Sequence, residues 1–79
     1  SAQMIERYVP MVKKALEEIK PLYNDSKEFQ EVFENAKLYI DDAENFLKQG
    51  NDENAVLSIG YADGLIDALR MAKGIEPKI

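Results

Sequence analysis

The chain has 79 residues, no cysteine, no histidine and a net charge of −5 at pH 7. This length suffices for one small domain, and the missing residue types exclude disulfides and ordinary zinc or haem ligation. The negative charge argues against binding to nucleic acid or to an anionic membrane, because phosphate groups would be repelled. No apolar run approaches the roughly 20 residues of a membrane-spanning helix and no signal peptide is evident, so we expect a cytoplasmic protein without a cofactor.

The first predicted helix covers residues 4–23. Its apolar residues recur at three- and four-residue steps, which places them on one face. They are Ile5, Tyr8, Val9, Val12, Ala15, Leu16, Ile19, Leu22 and Tyr23. Pro10 and Pro21 fall on the opposite face, so we interpret Pro10 as a kink in a continuing helix and Pro21 as part of a fraying last turn. The alternative is a helix that starts at Pro10.

The second predicted helix covers residues 26–49, and Asp25 with Glu28 has the spacing of a capping box at its start. Its apolar stripe is about 140° wide on a helical wheel. The stripe consists of Phe29, Val32, Phe33, Ala36, Tyr39, Ile40, Ala43, Phe46 and Leu47. Leu38 is the one apolar residue on the opposite, charged face. Gly50 is predicted to end the helix in a left-handed conformation.

The third predicted helix covers residues 53–73. Asn51 or Asp52 is its expected N-cap, and Gly74 is its expected C-terminal stop. Its apolar residues span about 200° of the wheel, a much wider arc than on the second helix. They are Leu57, Ile59, Tyr61, Ala62, Leu65, Ile66, Ala68, Leu69 and Ala72.

The two connections between these helices are short, so consecutive helices are expected to be antiparallel neighbours. The sequence therefore predicts an all-α, antiparallel up-down-up three-helix bundle. We expect a single domain over residues 1–79, with a short C-terminal tail at 74–79.

The wide apolar arc of the third helix has two interpretations, because two neighbouring helices can cover such an arc only partly. In the first, the third helix is central and the other two cover it. In the second, one flank stays open and receives a protein partner or a second copy of the chain. The residues of that flank are Leu57, Tyr61, Leu65 and Ala68, and Leu38 is an additional exposed apolar residue.

The remaining arc of the third helix carries Gly60, Asp63, Gly64, Asp67 and Arg70. Two carboxylates one turn apart are compatible with a magnesium site, since magnesium is commonly held by one or two carboxylates plus substrate phosphates. We favour a solvent-exposed face with an ion pair between Asp67 and Arg70, and hence no metal site. The two glycines predict a close helix crossing, because a small residue every four positions lets another backbone approach.

Residues 58–68 have the sequence SIGYADGLIDA, and compatible small, aromatic and turn residues precede them at Ala43, Phe46, Leu47, Gly50 and Ala55. On these residues the chain resembles, nearly end to end, a family of short archaeal proteins known as domain of unknown function 357. The resemblance implies a small helical bundle in an archaeal cytoplasm and assigns no catalytic residue. The second and third helices also resemble a single tetratricopeptide unit, at Ala43, Phe46, Gly50, Ala55, Ile59 and Ala62.

No cluster of polar residues is required to face inward, and such clusters are what usually mark an active site. We therefore predict a non-catalytic protein-interaction or self-assembly module. The alternative is a magnesium-dependent nucleotide-binding or hydrolysing protein that uses Asp63 and Asp67, completed across a dimer. An accessory domain that assists a separately encoded enzyme is a third interpretation.

Overall fold

The computed structural model describes residues 2–24 and 26–76. Three α-helices make up most of it: α1 (Ala2–Ile19), α2 (Gln30–Lys48) and α3 (Asp52–Ala72). The described residues contain no strand. The all-α prediction is therefore confirmed.

Contacts between the helices establish their directions. Tyr8 hydrogen-bonds Asp63, and the hydroxyl of Tyr23 donates to the carbonyl oxygen of Leu69 at 2.7 Å. Residue numbers increase together in these two contacts, so α1 and α3 run in the same direction. Lys13 of α1 pairs with Glu44 of α2, and Tyr23, further along the chain, contacts Phe33 of α2, so α2 runs antiparallel to α1. The up-down-up bundle is therefore confirmed.

The first helix continues through Pro10, as predicted, and the alternative start at that proline is wrong. Its α-helical part nevertheless ends at Ile19, four residues before the predicted end at 23, and a 3-10 turn (Lys20–Tyr23) follows. Pro21 explains the early end, because its nitrogen carries no hydrogen to donate and its ring collides with the carbonyl one turn back. The chain tightens into the 3-10 turn instead.

The second α-helix begins at Gln30, four residues after the predicted start, and a 3-10 turn (Lys27–Phe29) precedes it. Ser26 stands at the start of that turn without a side-chain capping bond. The predicted capping box with Glu28 depends on Asp25, which lies outside the described residues.

The C-terminal ends of α2 and α3 follow the prediction. Gly50 and Gly74 have φ angles of 72° and 73°, the left-handed conformation that glycine adopts without strain. After Gly50, the backbone N–H of Asn51 donates to the carbonyl of Phe46 at 2.8 Å, which closes the end of α2. The side chain of Asn51 then accepts the N–H of Asn54 at 3.3 Å and caps α3.

The core contains apolar side chains from all three helices. Its largest fully buried side chains are Ile40, Ile59 and Ile66. Four fully buried alanines, whose small side chains let α2 and α3 pack closely, are Ala36, Ala43, Ala55 and Ala62. In the predicted stripes of the first and second helices, two members are exposed: Leu22, in the 3-10 turn, and Tyr39, at the edge of α2.

The bundle measures 37 × 22 × 15 Å. Across residues 2–24 and 26–76, no helix has both the length and the hydropathy required to cross a bilayer.

Candidate functional site

The side of α3 that faces away from the bundle has no charged residue among its exposed positions. Every exposed residue between positions 56 and 72 of this helix is apolar or glycine. We call this set the outward face of α3; it consists of Val56, Leu57, Gly60, Tyr61, Gly64, Ala68, Met71 and Ala72. These positions lie on the opposite side of the helical wheel from the buried residues of α3.

Three large side chains project from the outward face of α3. Leu57 is 70 % exposed, Met71 57 % and Tyr61 50 %. The exposed residues of α1 and α2 are mostly charged or polar, as is usual for the solvent side of a helix in a soluble bundle. A contiguous exposed apolar surface is typical of a binding site.

The structure separates the residues predicted for partner binding into three groups. Leu57, Tyr61 and Ala68 lie on the outward face of α3. Leu65 is half-buried and packs against the core. Leu38 is 57 % exposed, but it lies on α2 among charged residues of that helix. Their role in binding stays a prediction.

Tyr39 extends this surface onto α2. Its ring lies 4.3 Å from the ring of Tyr61, measured between centroids, at an interplanar angle of 43°. The sequence prediction placed Tyr39 in the core, but it is 36 % exposed because it lies at the edge of the apolar stripe of α2. Val56 and Met71 were also missed, although both are apolar residues beside Gly60 on the helical wheel.

Small residues form a line along the outward face of α3. Gly60, Gly64, Ala68 and Ala72 recur every four residues and are all exposed. Apart from the backbone of α3 itself, a Cβ atom added to either glycine would meet no described atom within 4 Å. The close helix crossing that the glycines predicted therefore does not occur within a single chain.

A polar cluster lies on the flank of α3 that faces α1. Arg70 Nη1 donates to Asp67 at 2.8 Å, which confirms the predicted ion pair. The prediction of a solvent-exposed face holds for Gly60 and Gly64, but it is wrong for Arg70, which is only 6 % exposed. α1 packs over this flank, and the hydroxyl of Tyr8 on α1 donates to Asp63.

Burial of the phenol raises the pKa of Tyr8 to about 12, and the hydrogen bond to Asp63 and the charges of Asp63 and Asp67 act in the same direction. The tyrosine is therefore a hydrogen-bond donor at neutral pH. An open groove of about 470 Å³ between α1 and α3 borders this cluster, and both Asp63 and Arg70 line it.

The two aspartates of the predicted magnesium alternative are already engaged. Asp63 accepts from Tyr8 and Asp67 accepts from Arg70, so a cation would have to compete with a phenol and a guanidinium. Throughout the described part of the chain, there is no group of three or more histidine, cysteine, aspartate or glutamate residues able to hold a metal ion. The contacts of the cluster link α1 to α3.

Comparisons with known proteins give one match. No curated protein and no solved structure matches the chain. The archaeal origin and the tetratricopeptide resemblance therefore stay predictions. Residues 7–75 match the model of a family described as "Protein of unknown function (DUF357)", and the chain belongs to that family.

Proposed function

We propose that this protein is a non-catalytic protein-interaction module that binds through the outward face of α3. The observation that carries the proposal is the absence of any charged side chain among the exposed residues 56–72, in a chain of which 32 % is charged. A helix that only faced water would be expected to carry charged residues there.

The exposed side chains supply a driving force for association. Full burial of a leucine, methionine or similar side chain contributes roughly 1.5 to 3 kcal/mol, and Leu57, Tyr61 and Met71 have at least half of their surface left to bury. Tyrosine adds the advantages of a rigid ring and a polar hydroxyl, which make it frequent at binding hot spots. These residues are the expected centre of the contact.

The magnesium-dependent nucleotide function has weaker support. It requires Asp63 and Asp67 to turn toward a cation, yet both accept bonds from side chains of the protein. The groove beside them offers Lys14 and Arg70 as cationic groups, of which Arg70 is already paired with Asp67. No contact in the cluster favours this function over a structural role.

The proposal is tested with Leu57→Lys and Tyr61→Lys, and with Leu38→Lys as the matched control. All three introduce a lysine at a site that is at least half exposed, so Leu57→Lys and Leu38→Lys are each expected to change the free energy of unfolding by no more than about 0.5 kcal/mol. Tyr61→Lys also removes the ring contact with Tyr39, which adds a loss of roughly 0.5 to 1.5 kcal/mol. Leu57→Lys and Tyr61→Lys place a charge in the outward face of α3 and are expected to abolish association. The control places it among charged residues of α2 and is expected to leave association intact.

Association is measured as the mass of the chain in solution and by titration with each purified protein that co-purifies with it. Wild-type association in Leu57→Lys and Tyr61→Lys would overturn the proposal. Unfolding of both variants with a loss of about 3 kcal/mol would also overturn it, because the residues would then belong to the core.

A further inference from the structure

We propose that the partner is a second copy of this chain, with the two α3 helices packed antiparallel across a two-fold axis near Gly64. The inference rests on the proposed function, since it names the occupant of the outward face of α3. Shape and charge carry it.

The outward face of α3 is uneven along its length. Its N-terminal half carries the bulky side chains of Val56, Leu57 and Tyr61, and its C-terminal half carries mostly small residues. When two such faces meet antiparallel, the bulky half of each copy lies over the small half of the other. The face is thus complementary to itself, as an isologous two-fold contact requires.

A two-fold axis at Gly64 sets the register of the contact. Gly60 of one copy then faces Ala68 of the other, and Leu57 faces Met71. Met71 is the one large side chain in the C-terminal half of the face, and its flexible thioether can adapt to a leucine. Gly64 lies at the crossing point, where an exposed glycine with open space above it allows the helix axes to approach closely.

Charge favours this face over the others as a contact between copies. Each chain carries a net charge of −5, so two copies repel each other. The repulsion is weakest when the surfaces in contact carry no charged groups. The outward face of α3 is uncharged. Of the nearest acidic residues, Asp63 accepts from Tyr8, and the charge of Asp67, whose side chain is 19 % exposed, is paired with Arg70.

A standard dimer interface takes only a small share of the surface of this chain. A standard interface takes about 800 Å² from each partner, which is about one-seventh of the 5513 Å² that the chain exposes. α3 is one of only three helices in the bundle, and Tyr39 widens its exposed side onto α2. A contact centred on the outward face of α3 would therefore have to cover about one-seventh of the exposed surface of each chain.

The first experiment measures the mass of the intact chain by light scattering over a hundredfold concentration range. We expect a dimer of about 18 kDa, twice the 9.0 kDa of one chain, that dissociates on dilution. Leu57→Lys is expected to be monomeric throughout the range, and Leu38→Lys to remain dimeric.

The second experiment tests the antiparallel register by oxidative cross-linking, which is straightforward because the chain contains no cysteine. A mixture of Leu57→Cys and Met71→Cys is expected to give the cross-linked dimer. Neither variant alone is expected to do so, because 14 residues of helix separate equivalent positions by about 21 Å and a disulfide requires Cα atoms within about 7 Å. Cross-linking of either variant with itself would indicate parallel helices and overturn the register.

Gly64→Ala tests the close approach without introducing charge. The added methyl group meets no described atom within 4 Å in a single chain, so folding should not suffer. In the dimer it separates the helices at the crossing point, and we expect dimerisation to weaken about tenfold. Dimerisation as strong as that of the wild type would overturn a crossing at Gly64.

The outcomes also separate this inference from the proposed function. The chain could stay monomeric at every concentration and bind another protein in a manner abolished by Leu57→Lys. This result would contradict a second copy as the partner, but it would support the outward face of α3 as the binding surface. A dimer unaffected by Leu57→Lys overturns both, because the contact then lies elsewhere. A dimer abolished by Leu57→Lys and cross-linked only in the mixture supports both.

Discussion

Among the described charged residues, Arg70 is the one that the fold buries. Its guanidinium lies beside Asp67, whose side chain is 19 % exposed, and its own side chain is 7 % exposed. Removing one member of such a pair leaves the other charge uncompensated in a poorly hydrated place. The pair therefore makes the fold sensitive to substitution here, whatever its net contribution to stability.

Asp67→Asn is expected to lower the free energy of unfolding by about 2 to 3 kcal/mol, near the lower end for a buried pair because Asp67 retains some contact with water. The control is Glu44→Gln, which breaks the exposed pair of Glu44 and Lys13 and should cost less than about 1 kcal/mol. Denaturant unfolding of both variants gives the comparison. Equal losses would contradict a special role for the buried pair.

Tyr8 makes stability depend on alkaline pH. Its pKa is about 12 in the folded chain and about 10 when unfolded. Below pH 10 both states keep the phenolic proton, and the stabilisation by the hydrogen bond to Asp63 is fully present. Between pH 10 and pH 12 the unfolded chain loses this proton while the folded chain retains it, so unfolding becomes more favourable.

Tyr8→Phe removes this dependence. We expect the wild type to lose more stability than the variant between pH 10 and pH 12, while the difference between them stays constant at lower pH. Denaturant unfolding of both proteins across this range measures the difference in their free energies of unfolding. If this difference is the same below pH 10 and near pH 12, Tyr8 does not titrate differently in the folded and unfolded states.

At the scale of the elements, the C-terminal ends of the helices are set locally by two residue types, proline and glycine. Proline removes a donor near the end of α1, and the α-helix stops two residues before Pro21. Glycine ends α2 and α3 by adopting a positive φ. Between these points, helix length follows the apolar periodicity.

Gly50→Ala is expected to cost about 1 kcal/mol, because alanine is strained at a φ of 72°. No described atom lies within 4 Å of the added Cβ, so the cost comes from the backbone alone. Gly50→Asn is the control, since asparagine tolerates this conformation better and should recover part of the loss. Thermal unfolding of the three proteins ranks them, and an alanine variant as stable as the wild type would contradict the explanation.

At the scale of the whole molecule, α3 has a double role. Ile59, Ile66 and Leu69 fill the core, and the opposite side of the same helix forms the uncharged outward face. α1 and α2 keep charged residues on their solvent sides. This asymmetry is the basis on which we propose contact with another protein through the outward face of α3.

Magnesium with a mixed nucleotide pool is expected to leave the melting temperature unchanged, because Asp63 and Asp67 are engaged with Tyr8 and Arg70. A ligand at a hundred times its dissociation constant would stabilise the fold by about 2.7 kcal/mol, which is several degrees at this size. A shift of that kind, lost in Asp63→Asn, would favour the nucleotide function instead.

Periodicity alone identifies the three helices and most of their buried residues. On α1 and α2, most of the apolar residues that recur at three- and four-residue steps lie toward the core. Gly50, Gly74 and Asn51 have the predicted roles at the helix ends. These features depend on a residue and its neighbours along the chain, so they can be predicted without knowing the packing. The family resemblance likewise follows from the sequence.

Only the tertiary structure decided which part of the wide apolar arc of α3 is covered. A helical wheel gives the direction of a side chain relative to its own helix, but not the position of neighbouring helices. α1 packs on the flank of Asp63 and Arg70, which buries an arginine that the pattern placed in water. The side with Leu57 and Tyr61 is left exposed, because the closely packed alanines of α2 and α3 hold α2 beside it and not over it.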